Sequence, residues 1–344
     1  MNLPPYSAAA ARTKKRALVV YLVLGTLIML FFLISINTGQ VRLSPAALWQ
    51  TLWGNGTARE ELILFEFRLP RIVVALLIGT GFAVSGCILQ GLTRNALAEP
   101  GILGINAGAG LAVILFISYF PDNQSASVYA LPFIAFLGAG LTAALIYILS
   151  VKRDGELSPS RLLVTGVAVA AAIASLILVL TIRLDPAQYQ FVSIWLAGSI
   201  RGSSWQFVIA LLPWLALLIP LVLLKSQVLN ILALGDLTAS GLGANVPRQR
   251  MALLAIAVAL AGSCVAVGGG IAFVGLIAPH LARRLVGPQH QYALPVSALL
   301  GALLLIVADA VSRMIFTSGE IPTGIVVALI GAPYFLMLLA KGKR

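Results

Sequence analysis

The stretch RLPRIVVALLIGTGFAVSGCILQGLTRNALAEPGILGINAGAG (68–110) contains the pattern from which the fold follows. Its twenty residues 72–91 carry no charge, and arginines stand at both ends of this run. A helix needs about 20 mostly apolar residues to cross a bilayer. The stretch therefore predicts one transmembrane helix, followed at 101–120 by a second apolar run of similar length.

The composition of the whole chain is also strongly apolar. Of its 344 residues 60% are hydrophobic and only 10% are charged, and the mean hydropathy is +1.01. A soluble domain is roughly one quarter charged, so this composition excludes a soluble enzyme and a disordered chain. None of the apolar runs alternates with the period of two residues that a transmembrane barrel requires. The sequence therefore predicts an all-α membrane protein.

Ten segments are long and apolar enough to be candidate spans. They are 17–36, 72–91, 101–120, 129–150, 161–182, 205–224, 251–267, 271–286, 291–313 and 322–340. The segment 271–286 is the weakest candidate because it is short and bounded by glycines, and 191–200 is half long enough, so we expect a re-entrant or interfacial piece there. This organisation predicts a single transmembrane domain, 17–340, between two basic tails, 1–16 and 341–344.

The basic residues orient these spans. With the amino terminus in the cytoplasm, 16 of the 23 Lys and Arg residues fall on the cytoplasmic side, against the four acids Glu99, Asp154, Glu156 and Asp236. The outer side receives the other seven basic residues. This bias is what the positive-inside rule requires, and it predicts that both termini are cytoplasmic. The formal charge of +12 is thereby explained by topology and does not indicate nucleic-acid binding.

The sequence contains neither a nucleotide-binding motif nor an ion-coupling site from which this chain could draw energy. It contains no GxxxxGK[ST] phosphate-binding loop, and no relay of acids or histidines is predicted at the membrane midplane. The two cysteines, Cys87 and Cys264, are flanked by apolar residues and predict small buried side chains instead of a disulfide or metal site. We therefore expect no catalytic residue, cofactor or metal on this chain, and an energy source on another polypeptide.

One acid, Asp309, lies clearly within a predicted span. An ionisable group inside the membrane is a functional hypothesis by default. Arg313 follows four residues later, which is the favourable order for an ion pair along one helix. We favour this structural ion pair over a transport role for Asp309.

The longest predicted cytoplasmic loop is KSQVLNILALGDLTASGLGANVPRQR (225–250). It predicts two short helices, too small to span, on which Leu234, Leu237 and Leu242 form an apolar ridge. A helix lying on the membrane surface is one interpretation, but such helices usually carry Lys and Arg on the polar face. Here that face carries Asp236 and two hydroxyl side chains, which favours docking of a protein partner.

Several separate motifs resemble the FecCD family, the permease subunits of ABC importers for ferric siderophores, haem and cobalamin. They are the block 68–110, LALGDLTASGLG (232–243), GGIAFVGLIAPHLARRLVG (269–287), Ala308-Asp309 with Arg313, and GEIPTGIVVALIGAPYFLMLL (319–339). The resemblance runs in register over about residues 60 to 340. The family's NPLA stands here as NALA (95–98), which removes one proline from a predicted cytoplasmic turn.

The resemblance implies a BtuC-like permease fold of about ten transmembrane helices. Such a permease pairs with a second copy, or with a similar permease, around a translocation path in a bacterial cell membrane. Two ATPase subunits, which use ATP and Mg, dock beneath it, and an extracytoplasmic substrate-binding protein delivers a metal chelate from above. Ferric siderophore is the commonest cargo of the family, with haem and cobalamin as alternatives. A self-sufficient ion-coupled carrier and a structural subunit without a path are the alternatives from other classes.

The resemblance also implies roles for particular residues. The residues that would couple the loop to the ATPase are Leu232, Leu234, Gly235, Asp236, Ala239 and Gly243. The residues that would dock the binding protein are Arg68, Arg71 and Arg313, for which membrane anchoring by the arginine side chains is the alternative. The residues that would line or gate the path are Ser158, Pro159, Ser160, Thr165, Gly166 and Ser175, although small residues also suit plain helix packing.

Overall fold

The structure, a computed structural model, describes residues 6–38, 44–120, 124–151, 159–315 and 320–341. In chain order its helices are α1 (Tyr6–Asn37), α2 (Pro45–Leu52), α3 (Ala58–Glu61), a π-helix (Leu62–Arg68), α4 (Leu69–Thr93), α5 (Ile105–Tyr119), α6 (Gln124–Ser150), α7 (Pro159–Thr181), α8 (Pro186–Ala197), α9 (Trp205–Leu224), α10 (Ser226–Ala233), α11 (Asp236–Gly241), α12 (Val246–Gly268), α13 (Val274–Val286), α14 (His290–Met314) and α15 (Thr323–Lys341). The described residues form no β-sheet, and the predicted all-α membrane architecture is confirmed.

Each of the ten predicted spans corresponds to one helix. Seven of them, α1, α4, α6, α7, α9, α12 and α14, are long and apolar enough to cross a membrane. Helices α5 and α15 are shorter apolar helices, and α13 has only 13 residues. The segment 191–200 falls mostly in α8, whose 12 residues are too few to span.

Hydrogen bonds between distant parts of the chain are found at two opposite ends of the helices. At one end the Arg16 guanidinium donates to the carbonyl oxygen of Arg284 at 3.2 Å, and Asn230 donates to Gln291 at 2.9 Å. At the other end the Trp205 indole donates to the carbonyl oxygen of Phe65 at 2.7 Å. The loops that the charge pattern assigns to one side therefore do lie together. We call the end of Arg16 the inner end and that of Trp205 the outer end.

Helix α4 is the central helix of the bundle, with nearly all of its residues buried. Its glycines allow neighbouring backbones to approach closely. A Cβ atom added at Gly79 would collide with the carbonyl group of Gly301 in α14, and one at Gly86 would collide with that of Gly275 in α13. Small residues at helix contacts are the usual route to tight packing between membrane helices. The glycines of the 68–110 stretch therefore place α13 and α14 directly against α4.

Helix α13 is short because the chain enters it inside the bundle. Phe273, the residue before the helix, has a left-handed backbone (φ +67°), and its N–H donates to the Glu99 carboxylate at 3.0 Å. A carboxylate is favoured at a helix amino terminus, where backbone N–H groups are unpaired. Glu99, which the charge pattern counts among the inner acids, is thus buried and caps α13. This arrangement explains the weakness of the 271–286 segment as a span.

A cluster of buried charges joins α4 to α14 at the outer end. The Arg71 guanidinium lies 2.8 Å from Asp309 and 2.8 Å from Glu320. Arg313 lies 2.9 Å from the other oxygen of Asp309, one helical turn earlier. The single acid within a predicted span therefore lies between two arginines, one of them in its own helix.

The same cluster also holds the end of α1. Arg313 donates to the carbonyl oxygens of Ser35 and Thr38 at 3.2 and 3.0 Å. Arg68 donates to the carbonyl oxygen of Ile36. Carbonyl groups in the last turn of a helix have no partner within the helix, and these arginines supply one.

The three arginines that were predicted to dock the binding protein are buried in this structure. Arg68, Arg71 and Arg313 are each less than a tenth exposed, and each donates to groups of the same chain. Asp309 and Glu320 offset the charges of Arg71 and Arg313 in place of an external acid. Docking of another protein through them would first have to break these bonds, so the structure favours a role in holding the outer ends of α1, α4 and α14 together.

Removal of the central acid tests this role. We expect Asp309→Asn to lower the free energy of unfolding by about 3 kcal/mol, because breaking a buried pair leaves buried arginines without full compensation. The measurement is the thermal unfolding midpoint of the purified protein in detergent. Glu66→Gln, which removes an exposed acid at the same end, is the control and should leave the midpoint unchanged.

An unchanged midpoint for Asp309→Asn would contradict the structural role. The docking prediction would be supported instead if Arg68→Glu and Arg71→Glu weakened capture of the binding protein while the unfolding midpoint stayed at the wild-type value. At low salt this loss should be greatest, since ions screen surface charges.

Candidate functional site at the inner end

The candidate site is the coupling segment, residues 226–243, which projects from the inner end as two short helices and the turn that follows them. Helix α10 has eight residues and α11 has six. Gly235 joins them with φ +106°, a backbone conformation that L side chains rarely adopt, and a Cβ atom there would lie 3.3 Å from the Arg94 guanidinium. The sharp turn and the close approach both explain why glycine stands between the two helices.

One face of the coupling segment is anchored in the protein core. Leu229 and Leu232 of α10 and Ala239 of α11 are buried, and α10 contacts both α4 and α14. Leu232 and Ala239, which were predicted among the residues that couple the loop to the ATPase, are buried within this chain, so any part they play would be to anchor the segment. Leu229 and Leu232 are three positions apart on α10, so both side chains face the bundle.

The opposite face carries an exposed apolar ridge formed by Leu234, Leu237 and Leu242. These side chains are 62%, 93% and 61% exposed. Leu237 is thus almost fully exposed at the amino-terminal turn of α11. Exposed apolar side chains that form one patch, with polar groups around them, are typical of protein interaction sites. The ridge predicted from the sequence is therefore present as an exposed surface, with Gly243 exposed beside it.

Asp236 fastens the coupling segment to two long helices. Its carboxylate accepts from Arg250 of α12 at 2.7 and 3.1 Å, and from Arg94 at the end of α4 at 3.0 Å. The hydrogen bond from Arg250, with the charges of both arginines, holds the pKa of Asp236 below its ordinary value against the opposing effect of desolvation. The carboxylate is therefore ionised at neutral pH, and we call this trio the Asp236 clamp.

The clamp gives Asp236 a different contact from the one the sequence predicts. It points to Arg94 and Arg250 of its own chain and keeps about half of its side chain exposed. The two arginines were missed as site residues. The charge pattern places both arginines on the same side as Asp236. It does not show which of the inner arginines contacts the Asp236 carboxylate.

Of the predicted path residues, those that the structure describes all lie in α7. Ser158 lies outside the described residues, and Pro159 is the first residue of the helix. Ser160 and Ser175 are exposed and Thr165 is half-buried. Gly166 is buried, and a Cβ atom there would lie 2.7 Å from the carbonyl oxygen of Ile102, so glycine allows close packing at this point, and the path role of these residues stays a prediction.

The inner end combines an exposed apolar surface with a charged cluster. Among the described residues, no group of three or more His, Cys, Asp and Glu side chains could hold a metal ion. The geometry provides an exposed apolar ridge, a charged clamp near it, and a hydrogen bond to Asp236 of the clamp from Arg94 at the end of the central helix α4.

Comparisons with known proteins agree with the motifs. Residues 27–341 match the FecCD transport family. The chain is 48% identical over 332 residues to the iron(3+)-hydroxamate import system permease protein FhuG of Bacillus subtilis, covering 95% of this chain and 98% of that protein. It is 41% identical over 295 residues to the Fe(3+) dicitrate transport system permease protein FecD of Escherichia coli, covering 85% and 90%.

A solved structure has the same fold. A chain of a metal-chelate type ABC transporter in an inward-facing conformation superposes with a TM-score of 0.81 at 32% identity, covering 94% of this chain and 99% of that one. The chain therefore belongs to the FecCD transport family.

Proposed function

We propose that this chain is the permease subunit of an ATP-driven importer and carries a ferric siderophore across the bacterial cell membrane. The observation that carries this proposal is the exposed leucine ridge on a segment bonded to the central helix, in a chain of the FecCD family. A second permease, of the same or a similar kind, completes the path. Both termini lie in the cytoplasm, as the distribution of basic residues indicates.

The ridge takes part in the first step of the mechanism. Leu234, Leu237 and Leu242 insert into a groove of the ATPase subunit, where burial of a leucine side chain contributes about 1.5–3 kcal/mol. ATP binding and hydrolysis, with Mg, belong to that subunit. Their effect on this chain is a displacement of the coupling segment.

The Asp236 clamp passes this displacement to the bundle. Because Asp236 accepts from both Arg94 and Arg250, a shift of α11 pulls on α4 and α12 together. The glycine contacts make α4 move with α13 and α14 and not past them. The two permease copies rock against each other in this way, and the path opens alternately to the two sides.

The cargo follows from the relatives. The names of the similar permeases concern iron(3+)-hydroxamate, Fe(3+) dicitrate and other siderophore systems. A substrate-binding protein outside the membrane delivers the chelate, so the permease needs no high-affinity site of its own. Haem and cobalamin are the alternative cargoes. A self-sufficient ion-coupled carrier would instead transport in vesicles without any ATPase.

A charge on the ridge tests docking of the ATPase. We expect Leu237→Asp to reduce the amount of ATPase that copurifies with the permease by about tenfold or more, because the lost burial is worth at least about 1.5 kcal/mol. Leu237 is almost fully exposed, so the variant should fold normally. Leu237→Met, which keeps an apolar side chain, and Thr238→Asp, which adds the same charge one residue away, are the controls. Equal copurification of Leu237→Asp and wild type would contradict the proposed contact.

Asp236→Asn tests the clamp. We expect iron-siderophore uptake per ATP hydrolysed, measured in proteoliposomes with the complete importer, to fall about fivefold, since a half-exposed charged hydrogen bond contributes roughly 1 kcal/mol. Binding of the ATPase should persist, because the leucine ridge is intact.

A double-mutant cycle separates the clamp from direct contact of Asp236 with the ATPase. In a variant that already carries Arg94→Gln and Arg250→Gln, Asp236→Asn should have no further effect. An additional loss of the same size in that background would show that Asp236 acts through the ATPase instead.

A further inference from the structure

An apolar groove lies between α1 and α9 on the surface of the bundle, with α4 and α14 as its floor. Its volume is about 390 Å³. Its lining is almost entirely apolar and includes Tyr21, Val84, Ile219, Val222, Leu294 and Ala298. A volume of roughly 300–1,000 Å³ is typical of sites that hold a small molecule.

The groove lies near the inner end of the helices. Tyr21 follows Arg16 by five residues, which is about 8 Å along a helix. Arg16 itself donates to the carbonyl oxygen of Arg284 in the last turn of α13. On the other wall, Val222 precedes Lys225, the residue directly after α9, by three residues. The mouth of the groove therefore lies at the depth where the headgroups of the inner leaflet begin.

On each wall of this mouth a lysine lies within two helical turns of a lining residue. Lys14 precedes Tyr21 by seven residues, so both project from the same face of α1, and the Lys14 side chain is exposed. Lys225 directly follows α9, and its amine donates to the Gln249 amide oxygen at 2.8 Å. Of the described acids on this side, Asp236 is held by two arginines and Glu99 is buried. The mouth is thus positive while the interior is apolar.

We propose that this groove binds one acyl chain of an anionic phospholipid from the inner leaflet, with its phosphate between Lys14 and Lys225. The volume favours an unbranched chain over a helix of a second permease, since one helical turn about 10 Å wide already fills about 400 Å³. Basic pockets between transmembrane helices at the cytoplasmic side are known to hold anionic headgroups. The proposal depends on the groove and its charges and is independent of the transported cargo.

The test compares two lipids with the same acyl chains. Phosphatidylglycerol and phosphatidylcholine are titrated into the purified permease, and bound lipid is counted by native mass spectrometry. We expect phosphatidylglycerol to bind more tightly, and Lys14→Gln to weaken it about fivefold. Lys15→Gln removes the same charge from another face of α1 and should leave the affinity unchanged. Equal binding of the two lipids by the wild type would overturn the proposal.

A second variant tests the acyl-chain site separately from the headgroup. Ala298→Phe places a ring in the half-buried groove and should abolish retention of either lipid, whereas Leu22→Phe on an exposed face of α1 should not. The proposal is overturned if Ala298→Phe retains lipid at an unchanged unfolding midpoint. It is also overturned if this variant changes the oligomeric state and leaves lipid binding intact, because the groove would then be an interface between permeases.

Discussion

The close approach of α4 to its neighbours is the constraint on which the rest of the structure depends. Gly79 and Gly86 bring the backbones of α14 and α13 against α4. In a bilayer no hydrophobic force drives helices together, because lipid tails are as apolar as the side chains, so contact distance and hydrogen bonding decide the packing. With α4 fixed in this way, the groups at its two ends have defined partners.

Those two ends make helix α4 a rigid connection between distant clusters. Arg71 at the outer end bonds to Asp309 of α14, and Arg94 at the inner end bonds to Asp236 of α11. Arg94 follows Arg71 by 23 positions, which corresponds to about 35 Å of helix. A single helix thus joins the segment proposed to meet the ATPase with the cluster that holds the outer ends of α1, α4 and α14.

The sequence predicted those features that depend on local composition. All ten apolar segments correspond to helices, and the grouping of the loops by charge agrees with the contacts at each end. The leucine ridge followed from amphipathic spacing around Gly235. The burial of Arg68 and Arg71 did not follow, because the sequence shows that an arginine stands at a helix end but not which way the helix is rotated. The cap that Glu99 provides for Phe273 joins residues 174 positions apart, and no periodic pattern records such a contact.

The exposed leucine ridge also has a consequence for the permease before assembly. A subunit made in excess presents Leu234, Leu237 and Leu242 to the aqueous phase at the end of an otherwise membrane-embedded protein. An apolar surface of this kind favours self-association and recognition by chaperones and proteases. Pairing with the proposed ATPase would cover the ridge, so the same three side chains would help the cell to keep the numbers of the two subunits equal.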